Sequence, residues 1–166
     1  MAVAILAVGI AGCTAVQEQV AEEVTEGIAG EVVGGNVEIS GDGVTIETPE
    51  GQVAVGDSAT LPDGFPADFP IPGDAVITSS TGTSSQGESA FWVNLTRPGT
   101  VTDAFEWYKT ELPAAGWTIA LEVAASQGAG NEATLQAEKD QLSATMSITE
   151  GAEGADIALV LMGGGP

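Results

Sequence analysis

The segment TVTDAFEWYKTELPAAGW, residues 100–117, has apolar residues that recur at helical spacing. Its apolar positions at i, i+3, i+4, i+7 and i+11 share one side of a helix: Val101, Ala104, Phe105, Tyr108 and Leu112. An apolar stripe of this kind has to be buried against another element of the fold. We therefore predict one domain helix that packs on the rest of the C-terminal hundred residues.

The ends of this helix are also marked in the sequence. Thr100 or Thr102 can cap its amino end through a side-chain oxygen. Pro113 lacks an amide proton and crowds the carbonyl four residues earlier, so we expect the regular helix to stop or kink at Leu112. Gly116 is placed to end the helix in a left-handed conformation.

Alternating apolar and polar residues predict strands on both sides of the helix. Two runs precede it, at residues 75–83 and 89–96, and in the second run Trp92 lies on the face opposite to its apolar neighbours. Four runs follow the helix. Their predicted core-facing residues are Trp117, Ile119, Leu121 and Val123, then Ala133, Leu135 and Ala137, then Leu142, Ala144, Met146 and Ile148, then Ile157, Leu159 and Leu161. The order ββαββββ predicts an α+β fold in which one helix packs on an antiparallel sheet of about six strands.

A small β-meander is predicted at residues 36–60, before the α+β domain at residues 61–166. Its three runs each place two apolar residues on one face: Val37 and Ile39, Val44 and Ile46, and Val53 and Val55. Three short strands are marginally stable alone, so we expect the meander to dock on the main domain or pair with its edge. The face of the main sheet opposite the helix should then be wet or covered by the meander. Residues 61–74 hold four prolines and predict an extended connector with Phe65, Phe69 and Ile71 turned into the core.

The first residues of the chain have the character of an export signal. Residues 1–12, MAVAILAVGIAG, carry no charge and form an apolar run too short to span a bilayer. Ile10, Ala11 and Gly12 precede Cys13, and this succession resembles the bacterial lipobox, in which the cysteine is lipidated after cleavage. We expect residues 1–12 to be a lipoprotein signal peptide and residues 13–35 an acidic, partly helical spacer. Since a signal peptide normally starts with Lys or Arg, we also expect translation to begin upstream of Met1.

The charge of the chain excludes several classes of partner. It has 24 acidic residues, three basic residues and no histidine, which gives a net charge of −21. Such a surface repels nucleic acid and anionic headgroups. The lack of histidine removes the commonest general base and the commonest zinc ligand, and Cys13 is committed to lipid. We therefore predict a protein that is not an enzyme and has no metal, no cofactor and no catalytic residues.

Several longer motifs follow one another in the order found in a known group of proteins. They are VEISGDGVTIETPEG at residues 37–51, LPDGFPADFPIP at 61–72, FEWYKTELPAAGW at 105–117 and TLQAEKDQLSATMSIT at 134–149. With the lipobox and the acidic spacer, this succession resembles a widespread group of predicted bacterial lipoproteins. The resemblance implies a location in the cell envelope, and it carries over no catalytic residues.

Three functions are compatible with these observations. The leading hypothesis is a membrane-anchored, extracytoplasmic lipoprotein that acts as a non-catalytic binding or interaction module of the cell envelope, with an envelope protein or a small apolar ligand as its partner. The second is a carrier of a small apolar ligand held between helix and sheet, with Trp92 or Trp107 as ligand contacts near the opening. The third is an envelope hydrolase that uses a pair of carboxylates as acid and base.

Overall fold

The computed structural model describes residues 35–40, 43–56, 59–85, 87–124 and 132–164. The predicted signal motif Ile10–Ala11–Gly12, Cys13 and the predicted spacer up to residue 34 lie outside these residues. The described part contains one helix, α1 (Val101–Ala114). It also contains nine strands, which are β1 (Asn36–Ser40), β2 (Gly43–Thr48), β3 (Gly51–Val55), β4 (Val76–Ser85), β5 (Glu88–Arg97), β6 (Thr118–Ala124), β7 (Glu132–Lys139), β8 (Leu142–Glu150) and β9 (Ala155–Gly164).

All nine strands belong to one antiparallel sheet with the order β1-β2-β3-β4-β5-β9-β8-β7-β6. The predicted α+β class with one helix on an antiparallel sheet is confirmed, but the number of about six strands is wrong. The difference arises because the meander strands β1–β3 continue the main sheet through the pairing of β3 with β4. They lengthen the sheet and do not cover its face. The division into a meander at residues 36–60 and an α+β domain at residues 61–166 stays a prediction.

The helix α1 packs over strands β6, β7, β8 and β9, and its predicted apolar stripe is buried in full. Thr100 is the residue that caps its amino end. The Thr100 hydroxyl accepts a hydrogen bond from the Asp103 amide at 3.1 Å, and the Asp103 carboxylate accepts one from the Thr100 amide at 3.0 Å. This reciprocal pair satisfies two amides that a helix otherwise leaves without partners.

The helix ends at Ala114, two residues beyond the predicted stop at Leu112. Pro113 lies in the last turn, where its missing amide removes one hydrogen bond and the helix continues past it. The end is closed by the amide of Gly116, which donates to the Pro113 carbonyl at 3.0 Å, and by the amide of Trp117, which donates to the Leu112 carbonyl at 2.9 Å. Gly116 has a φ of 84°, so its predicted left-handed conformation is confirmed.

The proline-rich connector supplies a second cover beside the helix. Phe69 is buried, while Phe65 and Ile71 are partly buried and pack against the core, as predicted. The Phe69 ring meets the Trp117 ring edge-on with 5.1 Å between centroids, and the Phe65 ring meets that of Phe91 in the same manner at 5.6 Å. One face of the sheet is therefore covered by two elements, the helix and the connector.

The prediction that Leu121 and Val123 face the core is wrong. The pairing of β6 with β7 shifts between Ile119 and Leu121, which inserts one extra residue into β6. Beyond this bulge Glu122 pairs with the buried Leu135 and lies on the helix side. Leu121 and Val123 therefore point to the opposite face, where 41% and 51% of their surface is exposed.

Two substitutions, one on the open side of the sheet and one in the core, should differ in their effect on the free energy of unfolding. We expect Leu121→Thr to change the free energy of unfolding by less than about 0.5 kcal/mol, because Leu121 lies outside the core. Leu135→Ala should cost about 2–5 kcal/mol, because it leaves a cavity in the core. Urea unfolding of both variants and the parent measures the two values. A cost for Leu121→Thr as large as that for Leu135→Ala would contradict the register described above.

Candidate functional site

The sheet has two unlike faces. We call the face covered by the helix and the connector the helix side, and the other the open face. Two rows of paired residues run across the open face through all nine strands, with one residue from each strand in each row. The first row is Val37, Ile46, Val53, Thr81, Trp92, Val160, Thr145, Gln136 and Leu121. The second row is Ile39, Val44, Val55, Ser79, Asn94, Ala158, Ser147, Thr134 and Val123.

Both rows lack charged residues, although the chain carries a net charge of −21. We therefore call them the uncharged rows. The large apolar side chains that are exposed in the described residues all lie on this face of the sheet. They are Ile39, Val53, Val55, Val76, Trp92, Leu121, Val123 and Met162. Extended apolar patches of this kind are uncommon on monomeric proteins and mark binding surfaces.

The meander contributes most of the aliphatic part of the open face. Its three predicted apolar pairs share one face as expected, but that face is turned away from the helix. Val53 pairs with Thr81, which pairs with Trp92, and this places all three on the open face. On the helix side the meander presents Glu38 and Glu47 at exposed positions. The meander thus adds little to the core and much to the exposed apolar surface.

The three cations of the chain all lie on the helix side. The Arg97 Nε donates to the Asp74 carboxylate at 3.0 Å, which joins β5 to the connector. The Lys109 ammonium lies 3.2 Å from the Glu122 carboxylate, which joins the helix to β6. This contact raises the pKa of Lys109.

The third cation holds both covering elements at once. The Lys139 ammonium donates to the Asp68 carboxylate in the connector and to the Ala115 carbonyl, at 2.8 Å, at the end of the helix. The hydrogen bond from Lys139 lowers the pKa of Asp68. The chain's positive charge is thus used to hold the cover on the helix side, and the uncharged rows receive none.

A groove of about 390 Å³ lies on the open face across four central strands. Trp92 does not line it, but lies two residues before Asn94 on the same strand and face. The polar lining of the groove comes from strands β4, β5, β9 and β8: Thr78, Asn94, Thr96, Asp156, Ser147 and Thr149. Ala158 pairs with both Asn94 and Ser147, so a small side chain lies at the centre of the groove. The geometry therefore brings hydroxyl, amide and carboxylate groups together one same-face pair along the strands from the exposed Trp92.

A second groove, of about 480 Å³, lies on the helix side between the meander and the connector. Pro62 and Phe91 supply apolar lining, while Glu47 and Asp63 supply carboxylates. The Asp63 amide donates to the Gln52 side-chain oxygen at 3.2 Å, so part of its polar lining is satisfied within the protein. This groove contains neither of the two tryptophans that the sequence marked as ligand contacts.

Those two tryptophans are not brought together. Trp92 lies on the open face with 41% of its surface exposed. Trp107 lies on the helix, where it packs against the core, meets the Tyr108 ring edge-on at 4.9 Å and lies 5.4 Å from the Arg97 guanidinium. A ligand on the open face can contact Trp92 alone.

The space beneath the helix is filled by side chains. Tyr108 and Leu112 are fully buried there. Burial raises the pKa of the Tyr108 hydroxyl. Three buried polar atoms in the described residues have no hydrogen-bond partner: Arg97 Nη1, Tyr108 Oη and Trp117 Nε1. These are the polar groups that an acceptor-bearing molecule would meet if the helix moved outward.

Asn94 and Asp156 were not singled out from the sequence as ligand contacts. They lie in strands β5 and β9, and only the register of that pair shows that they line one groove. The alternation of β5 does place Asn94 on the same face as Trp92, so the face of Asn94 can be predicted from the sequence. Sequence spacing alone does not supply the partner strand.

Comparison with known proteins gives one finding. Residues 77–155 match a family model described as START domain-like. No curated protein and no solved structure is significantly similar to the chain. Separately, no helix in the described residues has both the length and the apolarity required to cross a bilayer.

The connector should loosen when its ion pair is removed. In the folded protein the pKa of Asp68 lies below its ordinary value of 3.8, so the pair stabilises the fold above that pH and is lost as the pH falls through the folded pKa. Because Asp68 is about half exposed, we expect Asp68→Asn to cost about 0.2–1 kcal/mol at pH 7. The measurement is urea unfolding at a series of pH values.

Asp63→Asn, in the same connector, is the matched control, since Asp63 has no ion pair among those found in the described residues. The difference between Asp68→Asn and the parent should shrink as the pH falls below 3.8 and through the lowered folded pKa of Asp68. A difference that is constant across the pH range would mean that Asp68 does not act through its charge.

Proposed function

We propose that this chain is a lipid-anchored, extracytoplasmic binding module without catalytic activity, and that it binds on the open face. The ligand is uncharged and offers an apolar surface. The observation that carries the proposal is the location of the exposed large apolar side chains of the described residues, which all lie on one face. Six of the eight belong to the uncharged rows. The similarity of residues 77–155 to a START domain-like family supports a ligand-binding module.

The charge distribution sets the chemistry of this ligand. An anionic ligand would be repelled by the net charge of −21 and would find no cation in the uncharged rows, since Arg97, Lys109 and Lys139 are engaged on the helix side. No carboxylate lies within those rows either, and Asp156, in the groove beside the second row, accepts a hydrogen bond from Thr96. Contact with an apolar surface removes exposed valine, isoleucine and tryptophan from water and is favourable at about 25 cal/mol per Å² of apolar area.

A second candidate function places a small apolar ligand between the helix and the sheet. The specific observation in its favour is the set of buried polar atoms without partners, Arg97 Nη1, Tyr108 Oη and Trp117 Nε1. A ligand with an acceptor group would satisfy some of them. This function requires the helix to move, because its stripe now fills the space.

Binding of a neutral apolar probe should depend on the open face. We expect the double variant Val53→Thr and Val55→Thr to weaken binding of N-phenyl-1-naphthylamine about fivefold or more, because it replaces two methyl groups with hydroxyls in the patch. The fluorescence of the bound probe measures the affinity. Glu38→Gln is the control, since Glu38 is exposed on the helix side of the same meander.

Unchanged probe binding in the double variant would contradict the open face as the site. If binding instead falls in Tyr108→Phe, which removes a buried hydroxyl beneath the helix, the second candidate is the better account. Far-UV and near-UV circular dichroism of every variant separates lost binding from lost structure.

Membrane attachment should depend on Cys13. We expect Cys13→Ser to move the protein from the membrane to the soluble fraction, because two or three acyl chains form a stable anchor and the serine variant carries none. Fractionation of cells that express each variant, followed by immunoblotting, measures the distribution. Thr14→Ser is the control and should stay with the membrane. Cys13→Ser that remains in the membrane fraction would refute lipidation at this residue.

A further inference from the structure

We infer that the groove beside Trp92 is a subsite for a neutral oligosaccharide. Sugar rings are uncharged, their C–H groups form an apolar face, and their hydroxyls both donate and accept hydrogen bonds. The inference rests on the proposed function, because it assigns a ligand class to the same open face. It is carried by the groove, by the polar groups that line it and by the exposed indole on the same face.

The Trp92 indole and the groove are neighbours on one face. Trp92 pairs with Val160, and the next pair on the same face is Asn94 with Ala158. Residues two apart on a strand are separated by about 6–7 Å. A pyranose ring stacked on Trp92 would therefore place its substituents, or the next ring of a chain, over Ala158 in the groove.

The polar groups of the groove are held in place before any ligand arrives. The Asn94 side-chain amide donates to the Ser79 hydroxyl at 3.0 Å, and the Thr78 hydroxyl donates to the Asn94 carbonyl at 3.2 Å. The Thr96 hydroxyl donates to the Asp156 carboxylate at 2.8 Å. Groups fixed in this manner lose little conformational freedom on binding, which favours affinity for a small ligand.

In these internal hydrogen bonds the side chains of Asn94, Thr78 and Thr96 act as donors, and several acceptor atoms of the groove stay available to a ligand. The amide oxygen of Asn94 is not used by its bond to Ser79, and the Asp156 carboxylate retains accepting capacity beyond its bond to Thr96. The Asp156 carboxylate also packs against Gly151, and a Cβ atom on any residue that replaced Gly151 would overlap with the carboxylate. The groove therefore presents a fixed set of acceptors to the hydroxyl donors of a sugar.

The uncharged rows make the glycan a better occupant than the alternatives. A second copy of this chain would bring another net charge of −21 against the same face. An acidic glycan meets the same repulsion and finds the three cations engaged on the helix side. A neutral oligosaccharide avoids this charge repulsion and can contact both the indole and the acceptor atoms.

The test is titration of the full-length chain, carrying Cys13→Ser for solubility, with cellohexaose, chitohexaose, maltohexaose and hexagalacturonate. We expect at least one neutral hexaose to bind with a dissociation constant below about 1 mM, and hexagalacturonate to bind at least about tenfold more weakly. Isothermal titration calorimetry measures affinity, and tryptophan fluorescence reports contact with an indole.

Trp92→Ala and Asn94→Ala should each weaken binding about tenfold, because one removes the stacking surface and the other an acceptor. Thr102→Ala is the control and should bind as the parent does, since Thr102 is exposed on the helix, on the other side of the sheet. Circular dichroism of each variant confirms that it is folded.

Three results would overturn the inference. One is that no neutral hexaose binds at about 10 mM. Another is that Trp92→Ala binds as tightly as the parent. The third is that the chain is a dimer and Trp92→Ala makes it a monomer, which would make the face an interface between copies. If the naphthylamine probe still depends on Val53 and Val55 while no glycan binds, the glycan inference fails and the proposed function stands.

Discussion

The burial of the apolar stripe of the helix against one face of the sheet is the contact on which the rest of the structure depends. Tyr108 and Leu112 are fully buried at this contact, together with Leu135 and Met146 from the strands below. Side chains alternate between the faces of a strand, so covering one face assigns every strand residue to a side. The open face, with Trp92 at its centre, is the direct counterpart of the packed helix.

Local pattern was sufficient to predict the elements and insufficient to predict how they join. The helix, its Thr100 cap and its Gly116 end follow from spacing and residue type within a few positions. The bulge that turns Leu121 to the open face depends on the partner strand β7, which no local pattern shows. The single nine-stranded sheet likewise depends on the pairing of β3 with β4, across the connector.

The same limit applies to the candidate site. The alternation of β5 placed Trp92 opposite the core from sequence alone. The groove beside it requires β5 to pair with β9, whose residues lie about sixty positions away, so Asp156 could not be placed near Asn94 in advance. The sequence predicts Trp92 or Trp107 near the opening of one ligand site, whereas the structure places the two on opposite sides of the sheet. The face on which a side chain lies follows from the alternation within its own strand. A site needs side chains from several strands, and only the pairing of those strands brings them together.

The distribution of charge connects the stability of the fold to its surface. With three cations against 24 carboxylates, most acidic groups cannot be paired, and exposed ion pairs contribute little each. All three cations nevertheless lie where a covering element meets the sheet, at Asp74, Asp68 and Glu122. The strands of the open face need no such contacts, since no element covers them in the described residues. Two rows without charge on so acidic a chain are therefore compatible with a fold whose covering elements are held from the other side.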